Sequence, residues 1–524
     1  MARAHLVGAI VLTVLVALPG CKRNKERFEQ RVSATGGAPG AVSAPVASNG
    51  PERTPPSEQA AQAVRERLER DPGVDATGIR VASEQGAIEL TGTAPNLLSK
   101  LRATKIAQAT RAVTSVDNRV EVKAPAVADD ELVLRVTQAL ELDPATESLQ
   151  VKPEARNGLV TLMGTVDSWV EREAAERAAM RVRGVRMVQN VLGVSTQSTR
   201  PDSEIERDVE SRLRWDVLIG DGQIDVDVKD GTVILKGYVG SAVERERAYR
   251  AAGLIAGAKN VRYDELAVRW WAKDEELRRR AGETSDREIH DAIRVAALFD
   301  PRVKAYDIKP FVKDGHVTLT GRVDNALAKA VAETLAQQTE GVIDVKNNVT
   351  IAAEPPIADA VIKRRVVASL ALNPVANVGQ VDVAVRKNVV TLKGEVDTYF
   401  ERAQAEQAAS RVRGVESVTN ELEVKRPEAA YVYDAYLEPY TPVVSVWQYV
   451  PPTTPRMDSD IRDRIVKEMT YSPFVDADQV AVNVVNGTAT LTGSVDSRAE
   501  SRAATENAYE GGAIRVLNQL IVQK

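Results

Sequence analysis

Side chains able to act as nucleophiles, metal ligands or proton carriers are few in this chain, and their placement argues against catalysis. Its three histidines are His5, inside an apolar N-terminal run, and His290 and His316, which are read as solvent-facing. Cys21 is the single cysteine, so no disulfide can form within the chain and no Cys/His metal set exists. A phosphate-cradling loop, a dinucleotide fingerprint and a Gly-x-Ser-x-Gly elbow are all missing from the sequence. Carboxylates abound but alternate with arginine at helical spacing, as in Glu171/Arg172 and Glu176/Arg177. That pattern is read as solvated helix faces laced by i,i+4 pairs, not as a general acid and base. No enzymatic activity, cofactor or metal is expected.

What remains is the chemistry of surfaces. The formal charge is -5, from 69 Lys and Arg against 74 Asp and Glu, with no basic stripe of the kind a nucleic-acid binder needs. Local basic clusters do occur: Lys363, Arg364 and Arg365 together, and Arg462, Arg464 and Lys467 along one helix. Each such cation close to anionic headgroups contributes roughly 1 kcal/mol. Trp270, Trp271 and Trp447 are candidate interfacial anchors, since tryptophan favours the membrane boundary. The same clusters read equally as ordinary solvated helix faces, and the same tryptophans as contacts to a neighbouring segment or a protein partner.

The elements that would carry these residues recur. A turn dipeptide, an alternating apolar strand and a glycine occur six times, closing at Gly92, Gly164, Gly237, Gly321, Gly394 and Gly493. A unit of about 72 residues therefore repeats, with extra residues in two gaps. Before each turn lies an apolar stripe at i, i+4 and i+8, for example Leu132/Val136/Leu140 and Ile362/Val366/Leu370, which predicts a helix. Five of these helices run into Asp, Asn or Ser followed by proline, which ends them. The turns, such as Asn157-Gly158 and Asp314-Gly315, suit a two-residue hairpin. An Ala-, Glu- and Arg-rich second helix follows and stops at a capping glycine such as Gly184 or Gly414, where the first unit has Ala112. A last strand, usually ending in asparagine, closes each unit.

The predicted fold class is α+β: six tandem α-β-β-α-β domains, each a three-stranded mixed sheet with two helices on one face. Pro310 falls in the first strand of unit four, which places that strand at an edge and gives the order 1-2-3. The expected domains are 57–124, 129–196, 202–269, 285–352, 358–425 and 458–524. Units two and five share Arg-Val-Arg-Gly-Val, at Arg181 and Arg411, and units one and four share Asn-x-Leu-x-Lys, at Asn96 and Asn325. Three units therefore look to have been copied as a block.

Outside the units, residues 1–20 form a short apolar segment of secretory type, too short to span a membrane comfortably. Leu18-Pro19-Gly20-Cys21 resembles the bacterial lipoprotein cleavage box, which implies lipidation of Cys21. Lys22 after it favours sorting to the outer membrane. Residues 22–56 read as a disordered tether spanning on the order of 30 Å. Residues 270–284 form a charged linker, and 426–457, with six prolines and five tyrosines, a second one.

On the helix stripe, the turn-strand-glycine core such as Asp314 to Gly321, and the Gly-Val and Val-x-Asn that follow, each unit resembles the BON domain of bacterial envelope proteins. The resemblance implies a periplasmic, non-catalytic module associated with phospholipid or other envelope components. The function expected is that of a lipid-anchored envelope-binding protein, with membrane lipids, anionic headgroups among them, and envelope proteins as partners and no nucleic acid. The alternative is a periplasmic scaffold recruiting proteins through 426–457.

Overall fold

The computed structural model describes residues 57–524 apart from 72, 147–149, 196–199, 220–222, 270–283, 301, 304–305, 377–380, 426–456 and 524. Cys21, Trp270, Trp271, Trp447, the tether and nearly all of both linkers lie outside the described residues.

Two helices fall in each unit: α1 (Ser57–Arg70) and α2 (Leu97–Gln108), α3 (Asp129–Leu142) and α4 (Trp169–Met180), α5 (Asp202–Arg214) and α6 (Ala242–Gly253). The second half holds α7 (Asp286–Phe299) and α8 (Ala326–Gln337), α9 (Asp359–Leu372) and α10 (Tyr399–Ser410), α11 (Asp458–Tyr471) and α12 (Arg498–Glu510). In every unit the first two strands pair antiparallel and the third adds parallel to the second, so the order is 1-2-3 with the first strand at the edge. The α+β class and the strand order agree with the sequence. Pro310, opposite Leu319, and Pro153, opposite Leu162, both sit in edge strands, where a missing N–H on the outer side costs no ladder bond. The stripe of each first helix is buried, from Val64 and Leu68 to Ile465 and Met469. With few aromatics, the cores are built of Val, Leu, Ile and Ala.

The local reasons are visible at the turn. Asn157 and Gly158 have φ of 51° and 81°, and the other five turns repeat the sign, even Lys387-Asn388 with no glycine. Positive φ at both centres is the geometry that matches strand twist. A carboxylate pins this turn in five units. Asp202 accepts from the N–H of Asp230 at 2.8 Å and of Gly231 at 2.9 Å, and Asp129, Asp286, Asp359 and Asp458 repeat the clamp. The same aspartate opens the first helix, where its charge also suits the helix dipole. The closing glycines all have φ between 104° and 128°. At Gly164 a Cβ would come within 2.6 Å of the Gln150 carbonyl oxygen, so backbone approaches backbone where the strand bends. Ala112 adopts φ 71° at the cap where other units have glycine.

The third-strand asparagine ties strand to helix. Asn190 donates to the Arg172 carbonyl at 2.9 Å and to Glu176 Oε2 at 3.0 Å, and its own Oδ1 accepts from the Leu192 N–H. Asn118, Asn347, Asn420 and Asn518 do the same to their own second helices. The expected i,i+4 pairing on this helix is present between Glu173 and Arg177, and the other carboxylates have further partners. Glu171 accepts from the Asp167 N–H at the start of α4, and Glu176 holds Asn190, so both carboxylates serve the unit's own frame.

The units pack against one another by a repeated contact. The N–H just before the second-helix cap donates to the carbonyl at the end of a first helix in another unit. Arg111 of unit one donates to Tyr471 of unit six at 2.8 Å, Arg183 of unit two to Leu372 of unit five at 2.7 Å, and Glu340 of unit four to Trp215 of unit three at 3.0 Å. Exchanging units one, two and three for four, five and six carries the first of these contacts onto the last. The two similar halves of the chain therefore use the same contact between units one and six and between units four and three.

Candidate binding surface

Of the basic residues expected to meet anionic headgroups, Lys363 and Arg364 are exposed on α9 and Arg365 is half-buried. Val367, one turn further on, is 38 % exposed, so the outer face of α9 mixes cations with an apolar side chain. α9 lies against α3, on which Leu134 is 69 % exposed. Arg183 ties this pair together: its carbonyl accepts from Arg135 of α3, and its guanidinium donates to the carbonyls of Asn373 and Ala376 beyond α9.

The second basic cluster is largely engaged. Lys467 of α11 bonds Glu66 of α1 at 2.8 Å, and Arg462 pairs with Asp463 at 2.7 Å. The neighbouring Glu468, nearly buried, takes Arg70 at 2.6 Å and Arg67 at 3.3 Å. Burial pushes the Glu66 carboxyl up, but hydrogen bonds from Lys467 and Gln62 outweigh it and hold the group below its usual range. This face of α11 is thus turned to unit one, a use that could not be read from one helix alone.

At the variable position held by Leu97, Trp169 and Tyr399, read as a place where binding differences could lie, Leu97 and Trp169 have a packing role. Leu97 is buried against the core of unit two, and Trp169 is 3 % exposed, edge-on to Tyr249 of unit three at 5.2 Å. A Cβ at Gly253 would come within 2.3 Å of the Trp169 ring, which is why α6 carries glycine there. His290 is half-exposed beside Asp291, and His316 is exposed. Among the described residues no group of three or more His, Cys, Asp and Glu could hold a metal, and no helix is long and apolar enough to cross a membrane.

Sequence reasoning missed the Asp clamp, although its signal is simple: an aspartate stands 28 residues before the first turn residue in five units. It also missed the contacts between units, because these are backbone bonds and side chains such as Trp169 and Glu468 that differ from copy to copy.

A family model described as BON domain matches residues 56–124, 128–196, 201–269, 285–353, 358–426 and 457–524. Osmotically-inducible protein Y of Escherichia coli (strain K12) is 29% identical over 142 residues, which cover 26% of this chain and 71% of that protein. Two solved structures of CdsD, a structural protein of the type III secretion system of Chlamydia trachomatis, also match. One covers 39% of this chain and 95% of its own at 15% identity with a TM-score of 0.11, the other 42% and 98% at 16% identity with a TM-score of 0.12.

Proposed function

Because the chain belongs to the BON-domain family, we propose that it is a non-catalytic envelope protein, lipid-anchored at Cys21 and facing the periplasm, that binds anionic phospholipid surfaces and supports envelope integrity under stress. One observation carries this reading: exposed Lys363 and Arg364 stand beside partly exposed Val367 on the outer face of α9. Cations supply attraction to phosphate headgroups and the valine a small apolar foothold. Similarity to a protein named as osmotically inducible supports the stress role. Lipid at Cys21 and the tether at 22–56 would hold the six units within reach of the outer membrane, so a weak surface contact gains effective concentration.

Two variants test the reading. Reversing the charge of both Lys363 and Arg364 to glutamate is expected to weaken binding to phosphatidylglycerol vesicles at least tenfold; unchanged binding would reject α9 as the contact. Cys21→Ser is expected to move the protein from the membrane fraction to the soluble periplasmic fraction and to remove lipid label. Retention in the membrane fraction without label would reject the anchor.

A further inference from the structure

Where units two, three and four meet, side chains from all three surround an open cleft of about 300 Å³, counting its mouth. Trp169, Val170 and Leu254 form its apolar part, Arg177 of α4, Arg250 of α6 and Arg302 after α7 bring three guanidiniums to it, and Glu173 and Asp300 add two carboxylates. Two of these arginines already hold carboxylates. Arg302 grips Asp300 through Nε at 2.9 Å and Nη2 at 2.7 Å, and Arg250 bonds Glu246 at 2.8 Å. Among the described residues Arg177 has only Glu173, at 3.9 Å, too far for a hydrogen bond. A half-buried guanidinium therefore faces an open cleft with its donors unspent.

The copied half of the molecule serves as an internal control. At the equivalent places, Arg177 is replaced by Gln407, Arg250 by Glu506, Arg302 by Gly73 and Val170 by Phe400. There the Phe400 ring lies 5.0 Å from the Arg102 guanidinium, and a Cβ on Gly73 would come within 3.0 Å of that ring. An aromatic side chain thus occupies the junction of units one and five, and the related backbone is reached without the three arginines. Packing therefore does not demand Arg177 or Arg250, while the hold of Arg302 on Asp300 is matched there by Arg102 on Asp71 at 2.6 Å.

We propose that the cleft between Arg177, Arg250 and Arg302 binds one small tetrahedral oxyanion, of phosphate or sulfate type. The Arg177 fork matches two oxygens of such an anion, and Arg250 and Arg302, each already on a carboxylate, stand on the other sides of the cleft. Most of that volume is open mouth, so the room suits one small anion at the entrance and not an acyl chain. Burial and, after it, the nearby charge of Arg250 push Arg177 down to about 10, which leaves it charged at neutral pH. Asp300 does not oppose the anion, since Arg302 takes its charge.

Calorimetric titration of the full chain with inorganic phosphate, and separately with sulfate, at low ionic strength tests the site. Saturable binding of one anion per chain is expected. Arg177→Gln, which installs the residue of unit five, is expected to weaken it at least tenfold, and Val170→Phe to abolish it. Arg119→Gln, on an exposed side chain outside the cleft, is expected to leave it unchanged. No saturable heat in the wild type, or equal affinity in Arg177→Gln, would overturn the proposal; because Arg177→Gln removes no packed group, it decides even if Val170→Phe misfolds. Vesicles of phosphatidylglycerol then identify the source of the anion. Competition by free phosphate that is lost in Arg177→Gln assigns the cleft to a lipid headgroup, and vesicle binding indifferent to phosphate assigns it to a soluble anion. Loss of vesicle binding on reversing Lys363 and Arg364, with anion binding intact, separates the cleft from the α9 surface.

Discussion

Glu173 is the residue on which the cleft's charge turns. Burial pushes its carboxyl above the ordinary range, against the opposing charges of Arg250 and Arg177, while Glu176 on its own helix and Glu246 on α6 push the same way as burial. A carboxyl raised in the folded state costs stability above its folded pKa and gives that cost back as pH falls through it. The same proton removes a negative charge from the anion's path. Sulfate affinity is therefore expected to rise in the wild type as pH falls from neutrality and Glu173 takes up its proton. Glu173→Gln should bind more tightly at neutral pH and show a flat profile; parallel profiles would contradict this. At the same scale, Gly164→Ala forces a Cβ onto the Gln150 carbonyl at positive φ and is expected to cost about 1–3 kcal/mol, read as a lowered melting midpoint. The closing glycine was legible because its offset is constant. Its cause, a carbonyl crossing behind it, needed coordinates.

Within a unit, secondary structure was readable almost entirely. Period-4 stripes gave the first helices, turn dipeptides gave the hairpins, and capping residues bounded the second helices. What was not readable is how the elements are joined by side chains. The terminal asparagine looked like punctuation but bonds strand to helix, and the aspartate that opens the first helix looked like a helix start but also holds the hairpin. Asp202→Ala frees two turn N–H groups and weakens the dipole contact, so a loss of about 2 kcal/mol is expected. Faster amide exchange at Asp230 and Gly231 than at the Asp314 and Gly315 turn would show it. Equal exchange would mean that the turn holds itself.

Across the molecule, the repeat explains how many units there are but not how they meet. The contacts between units use Trp169, Tyr249 and Glu468, each present in one copy only, and Arg67, matched only by Arg212 of unit three. Removing the buried carboxylate in Glu468→Ala leaves Arg67 and Arg70 without that partner and is expected to cost about 3 kcal/mol at the junction of units one and six. Hydrogen exchange should then show α1 and α11 losing protection together while α3 and α9 keep theirs. Uniform loss across all units would contradict the pairing.

The central claim, that this six-unit protein presents a surface to anionic lipid, is tested most directly by co-sedimentation. Residues 57–524 would be mixed with phosphatidylglycerol vesicles and with phosphatidylcholine vesicles, at low and at high salt. Headgroup recognition through α9 predicts sedimentation with the anionic vesicles at low salt, reversed by salt and by charge reversal at Lys363 and Arg364, and none with the zwitterionic ones. Failure to sediment with anionic vesicles at low salt, or equal sedimentation with both kinds, would contradict it.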